Sequence, residues 1–120
     1  MTELDEILAG LTDQVDGSVA AAVGGMDGLV VEHAGAAREE LSAFVAELTN
    51  VLTAAVAAMR GRLESGSLTE LILTAERHVA YVRILSADLY CVLLLESGGN
   101  IGKARLYSGF AGKRIMEVLA

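Results

Sequence analysis

One cysteine, two histidines and two glycine pairs are the residues with the most chemistry to offer. Cys91 stands in the run Tyr90-Cys91-Val92-Leu93-Leu94-Leu95. A thiol attacks only as its thiolate, which needs a nearby cation, base or helix N-terminus. No such group lies near Cys91 in sequence, and free cysteine is among the most buried residue types. It reads as core. His33 and His78 fall near the ends of candidate strands. Even if the fold brought them together, two imidazoles fall short of the ligand set that a zinc ion requires. Gly24-Gly25 and Gly98-Gly99 are not followed by the Gly-Lys-Ser/Thr of a phosphate loop, and the dinucleotide fingerprint is missing. Gly98-Gly99-Asn100 precedes a helix start, where an anion can sit, but a plain loop accounts for it. Lys103, Arg105, Lys113 and Arg114 make the last segment basic and read as a solvated face. Glu76, Arg77 and Arg83 read as solvated turn and strand-edge charges. We therefore expect no catalytic residue, no metal and no cofactor, and no enzymatic activity of the chain's own.

The composition narrows the classes further. The chain has 120 residues, 53% of them hydrophobic but only 4% aromatic. Ala, Leu and Val supply the apolar content, which suits tight packing of helices and strands more than an aromatic ligand cleft. No proline occurs, so nothing resembles an extended linker, and a single domain over residues 1–120 is expected. The net charge of -7 speaks against nucleic acid. It is unevenly spread. Residues 1–65 carry eleven acids and three bases, a net of -8, and residues 101–120 carry four bases and one acid, a net of +3. No unbroken apolar run reaches the roughly 18 residues of a membrane span. The acidic start, Met-Thr-Glu-Leu-Asp-Glu, is unlike the positive head of a signal peptide. A cytoplasmic location without membrane insertion is the expectation, and a lone cysteine agrees with it.

The elements follow from periodicity. Leu4, Ile7, Leu8 and Leu11 make one apolar face of a helix over residues 2–12. Thr2 and Asp5 are spaced as a capping box, with Asp for the usual Glu. Strands are expected at 18–23 and 29–33, joined through Gly24-Gly25-Met26-Asp27-Gly28, whose glycines allow a tight reversal. A long helix is expected over about 36–63, with Leu41, Phe44, Val45, Leu48, Leu52, Ala55, Val56, Met59 and Leu63 at helical spacing. Its start has no evident cap, and Ser65-Gly66 reads as its end. Three strands should follow at 68–74, 78–85 and 90–95. The last is apolar on both faces, so it must be central and covered on both sides. Asn100 is a suitable N-cap for a final helix reaching Leu119. The order α-β-β-α-β-β-β-α gives an α/β (α+β) domain with a five-stranded antiparallel sheet. The long helix would cover one face and the two terminal helices the other.

This order, with the residues that carry it, resembles the Roadblock/dynein light chain superfamily in its bacterial MglB-like branch. The likeness rests on the opening amphipathic helix and the hairpin Val19-Ala20-Ala21-Ala22-Val23 through Gly28-Leu29-Val30-Val31. It rests also on the Ala-rich long helix. Above all it rests on the closing run Leu93-Leu94-Leu95-Glu96-Ser97-Gly98-Gly99-Asn100-Ile101-Gly102-Lys103-Ala104-Arg105-Leu106. That run is similar to the family's strand, short Gly/Asn loop and helix opening Asn-Leu-Gly-x-Ala-Arg. The resemblance covers essentially the whole chain, though the family has no invariant catalytic motif. It implies a profilin-like Roadblock fold, a homodimer whose edge strands join into one sheet, and regulation of a small Ras-like GTPase. Some family members stimulate hydrolysis and others are scaffolds. Arg38, Arg60 and Arg62 lie on or near the long helix, but nothing singles one out as an arginine finger.

The long helix offers independent support for partners. With Leu41, Phe44, Leu48, Leu52, Ala55 and Met59 turned to the sheet, its back carries Ala43, Ala46, Glu47, Asn50, Ala54, Ala57 and Gly61. A solvated helix back normally holds more Lys, Glu and Arg. Alanine's helix propensity explains part of this, and close approach by another protein explains the rest. Ala43, Glu47, Asn50, Ala54, Ala57 and Gly61 are the expected GTPase-docking residues. The stretch 51–59 is apolar nearly all round, which predicts burial on more than one side. If 68–74 is an edge strand, Leu71 and Leu73 face one way and Glu70, Ile72 and Thr74 the other. An open edge of this kind invites pairing, and a twofold dimer satisfies it. Val51, Ala58, Leu71, Ile72 and Leu73 are the expected self-dimer contacts. A structural dimerisation subunit with no effect on nucleotide turnover is the alternative function.

Overall fold

A computed structural model of the chain describes residues 2–119. Its elements are α1 (Glu3–Gln14), β1 (Ser18–Gly25), β2 (Val30–Ala34), α2 (Arg38–Arg60), β3 (Glu70–Thr74), β4 (His78–Ile84), β5 (Leu89–Glu96) and α3 (Ile101–Leu119). The five strands form one antiparallel sheet in the order β2-β1-β5-β4-β3. β5 is central, as its two apolar faces require. Alternate residues of β5 divide the core. Cys91, Leu93 and Leu95 join Leu4, Ile7, Leu8 and Leu11 of α1 and Ala104, Ala111 and Ile115 of α3 on one side. Tyr90 and Val92 join Val45, Leu48 and Leu52 of α2 on the other.

The helix starts are chemically explicit. Thr2 Oγ1 accepts from the Asp5 amide at 3.1 Å, and the Thr2 amide donates to the Asp5 carboxylate at 3.0 Å, closing the expected capping box. Asn100 Oδ1 accepts from the Lys103 amide at 2.9 Å. α2 begins at Ala37 with no side-chain cap, as its sequence suggests. It stops at Arg60, three residues short of the expected end. The chain after Gly61 turns back on itself, with the Ser65 amide bonded to the Met59 carbonyl at 2.9 Å. β3 likewise starts two residues late, at Glu70. By length and composition α2 is apolar enough to cross a membrane, which a search for unbroken apolar runs overlooks. Here it lies along the sheet with Leu41, Val45, Leu48 and Leu52 buried.

A buried tyrosine bolts α2 to the sheet. Tyr90 is fully enclosed, and its hydroxyl lies 2.9 Å from Thr49 Oγ1 and 3.2 Å from the Val45 carbonyl. Burial pushes the Tyr90 phenol above its usual pKa. Its ring passes beneath Gly24, where an added Cβ would stand 2.6 Å from Cζ. Only glycine fits there. Gly28, at φ +88°, supplies the left-handed residue of the same hairpin turn, and its amide bonds the Gly25 carbonyl.

On the opposite face α3 is clasped to the edge strand. Arg105 donates to both oxygens of Glu70, with Nη2 to Oε1 at 2.7 Å and Nε to Oε2 at 3.1 Å. Tyr81 donates its hydroxyl to Glu70 Oε2 at 2.6 Å. The Arg105 bonds first, and then the Tyr81 bond, hold the Glu70 carboxyl below its ordinary range. Arg83 corrects the sequence reading. It is a half-buried residue of β4, not a solvated edge charge, and its guanidinium lies under α3 beside Gly109. It donates to Tyr81 Oη at 3.3 Å.

Two outcomes follow. Gly24→Ala forces a methyl into an enclosed ring and should cost about 1–3 kcal/mol. Tyr90→Phe leaves Thr49 its bond to Val45 and should cost less, about 0.5–1.5 kcal/mol. Urea unfolding checks the order, and a neutral Gly24→Ala would contradict the packing. Glu70→Gln should cost about 0.5–1 kcal/mol at neutral pH, the upper range for an exposed pair. Because the folded-state pKa of Glu70 is depressed, this stability is present above the unfolded carboxylate value of 4.5 and is lost as pH falls through the folded value. The gap between the two proteins should therefore close below pH 4.5; a gap of constant size through acid would contradict the clasp.

Candidate partner interface

Helical periodicity sets what each side of α2 meets. Thr49 reaches the hairpin through its hydroxyl, 3.5 Å from the Gly25 carbonyl, and Ala46 lies beside Gly28. At 3.6 residues per turn, Val51 and Ala58 stand on the opposite flank of the helix. The back between these flanks is fully open. Ala43, Ala46, Glu47, Asn50, Ala54, Ala57 and Gly61 are all exposed, as the sequence reading places them.

The second half of α2 departs from expectation. Within residues 51–59 only Leu52 is buried, so the stretch is covered on one side and not on several. Val51 is 43% exposed and Met59 39%. Met59 shares the angular position of Leu41 and Leu52, yet it meets solvent because the helix runs past the core. Phe44 and Ala55 are half-buried, completing the rest of the expected stripe. Val45, which belongs to the same apolar series, is fully enclosed.

β3 is an edge strand, paired only with β4. Leu71 packs among the residues beneath α2, while Ile72 packs on the α1/α3 side. Leu73 shares the α2 side with Leu71 and is exposed. Val51 and Ala58 of α2 and Leu73 of β3 are thus all exposed, and β3 has an open backbone edge among the described residues. Ile72 belongs to the other layer, so its side chain does not join them. A groove of about 320 Å³ runs at the other flank of α2, where Val56 and Arg60 face Met26, Leu68 and Ile84.

The remaining candidates are set apart. Cys91 is enclosed, and burial pushes its thiol up to about 12, so it is not ionised near neutrality. His33 and His78 lie on β2 and β4, with β1 and β5 between them, and the register sets His33 level with Val82, four residues from His78; at ordinary strand spacing and rise they are roughly 19 Å apart. Among the described residues no cluster of three or more metal-ligating side chains forms. Arg38 donates to the Val30 carbonyl at 3.2 Å and Arg60 to Ser67 Oγ at 3.3 Å. Each is thus engaged within the chain. Lys103 pairs with Asp16 at 3.1 Å. Arg83 and its neighbours are what sequence reasoning missed. The only available signal was a charge in the middle of an otherwise apolar strand.

No family model matches the chain, and no curated protein matches it in sequence. Solved structures do. A Roadblock/LC7 domain from Streptomyces avermitilis superposes with a TM-score of 0.92 at 15% identity, covering 98% of each chain. Myxococcus xanthus MglB superposes with a TM-score of 0.86 at 12% identity, over 99% of this chain and 96% of that one. A structure of MglB in a tetrameric arrangement gives a TM-score of 0.83 at 20% identity, over 94% and 85%. At such low identities the likeness is one of architecture, and the architecture extends from the first helix to the last: the chain has the Roadblock/LC7 fold.

Proposed function

We propose that the protein is a non-catalytic, self-pairing regulator or adaptor of a small Ras-like GTPase, acting in the cytoplasm as a single Roadblock-type domain. One observation carries this reading. The second half of α2 exposes Val51, Ala54, Ala57, Ala58 and Met59, and Leu73, on the same side of the sheet, is exposed on an edge strand whose outer side is open among the described residues. A long apolar helix left half-covered, together with a free strand edge, is an interaction surface. The Roadblock/LC7 architecture and the MglB neighbours support the choice of partner class.

The two parts of the surface divide the work. Val51 and Ala58, with Leu71 and Leu73, suit a twofold contact in which β3 pairs with its copy. Ile72 contributes through its backbone. The outer face, Ala43, Glu47, Asn50, Ala54, Ala57 and Gly61, remains available to the GTPase after that pairing. Its small residues allow the partner's backbone to come close. Arg38 and Arg60 are engaged inside the chain and nothing singles out the exposed Arg62, so an effect on hydrolysis is assigned to ordering of the GTPase's own switch loops. That same engagement favours a second reading, a scaffold that binds without changing turnover.

Ala54→Arg or Ala57→Arg places a long cation on the outer face. Either should abolish binding to a GTP-loaded Ras-like GTPase from the same source, while folding stability stays within about 0.5 kcal/mol, as for other exposed sites. Co-sedimentation measures the first and thermal unfolding the second. Undiminished binding removes the proposed surface. A bound GTPase whose hydrolysis rate is unchanged selects the scaffold.

A further inference from the structure

The face opposite α2 carries a second unpartnered surface. Leu106 and Phe110 of α3 are 53% and 56% exposed. They stand one turn apart on the outward side of the helix, and Lys113 continues the same stripe. Phe110 meets Tyr107 edge-on at 6.3 Å between ring centroids. Beside this stripe, between α3 and β3, lies a groove of about 580 Å³ lined by Thr69, Glu70, Arg83, Arg105, Leu106 and Gly109, with Gly102 at its end.

The groove is cationic. Two guanidinium groups, Arg83 and Arg105, line it against one carboxylate, Glu70, which is bonded by Arg105 and Tyr81 and not by Arg83. Arg83 makes only its 3.3 Å bond to Tyr81 and no ion pair among the described residues. Gly109 leaves that guanidinium open to the groove. A Cβ at Gly109 would meet Arg83 at 3.6 Å, an ordinary contact. Packing within the chain therefore does not require glycine there, although glycine inside a helix costs about 1 kcal/mol relative to alanine. The whole helix carries four bases and one acid, a net of +3, on a chain of net -7.

We propose that this groove and its rim dock an acidic segment of another protein. Apolar side chains of the segment would cover Leu106 and Phe110, and its carboxylates would pair with Arg83 and Lys113. Charge complementarity selects this occupant. A second copy of the chain would bring a strongly acidic body but also the same cationic groove. An anionic membrane presents a flat surface, which cannot reach a guanidinium recessed beneath α3. The groove lies across the sheet from the outer face of α2, while it shares Glu70 of β3 with the proposed self-pairing edge.

The test uses fluorescence anisotropy on the full chain. The probe is a labelled synthetic peptide with leucines at helical spacing and glutamates between them. Its controls are the lysine-for-glutamate counterpart and vesicles of phosphatidylglycerol and phosphatidylcholine. The glutamate peptide should bind saturably and more weakly as salt rises. Phe110→Ser and Arg83→Gln should each weaken it at least about tenfold, as loss of an interface anchor does. Ala54→Arg should leave it unchanged. Phe110 is more than half exposed, so its substitution tests the surface even if Arg83→Gln proves unstable. Absence of binding, equal binding of the lysine peptide, or insensitivity to Phe110→Ser would overturn the proposal. So would vesicle binding through this face, or loss of self-association in Phe110→Ser, either of which assigns the face to a different occupant.

Discussion

Tyr90, Val92 and Leu94 point one way from β5, Cys91, Leu93 and Leu95 point the other, and both sets must be kept from water. A strand of this kind cannot lie at an edge or face solvent. It takes the centre of the sheet and requires a layer on each side. α2 supplies one layer, and α1 with α3 the other. Everything else in the architecture accommodates this demand. The hairpin β1–β2 extends the sheet on one side and β4–β3 on the other. β3 is left as an edge with no further strand beyond it among the described residues.

The two layers are unequal, and the inequality generates the surfaces. On the α1/α3 side, two helices share the work. On the other side a single helix must cover the sheet, and its first half does so through Leu41, Val45 and Leu48, fixed by the Tyr90 hydroxyl at Thr49. The second half continues past the core with Val51, Ala54, Ala57, Ala58 and Met59 exposed. A solvated extension would normally carry charge there. The helix instead keeps small apolar residues on the side of the sheet where Leu73 of the edge strand is also exposed, which is the physical basis of the proposed pairing. α3 has a different division of labour. Its inner residues fill the core, its Arg105 fastens the edge strand through Glu70, and its outward Leu106 and Phe110 stay more than half exposed.

Much of this was legible in the residues because local rules act alone there. The Thr2–Asp5 box, the Asn100 cap, the glycine turn and the two-sided β5 each depend on neighbours in sequence, and each appears in the structure as read. The departures arise where distant segments decide. Arg83 looks like an edge charge in sequence, yet β4 is an interior strand and α3 covers it. Residues 51–59 look enclosed, because periodicity reports how apolar a helix is and not how far the sheet beneath it extends. Leu63 fits the helical spacing, but the chain turns at Gly61 and leaves it outside the helix. The outer-face positions of α2 were assigned correctly as a surface, since a helix with one buried stripe has only one possible back. Which molecule covers that back is a property of two chains.

The most direct test of the central claim is hydrogen exchange across a concentration series, with the association state followed by sedimentation. If α2 and β3 form a self-pairing margin, the chain should sediment as a dimer as concentration rises. The amides of residues 70–74 should then gain protection in step with it. An edge strand that exchanges as an open edge at every concentration, in a chain that sediments as a monomer throughout, would contradict the account.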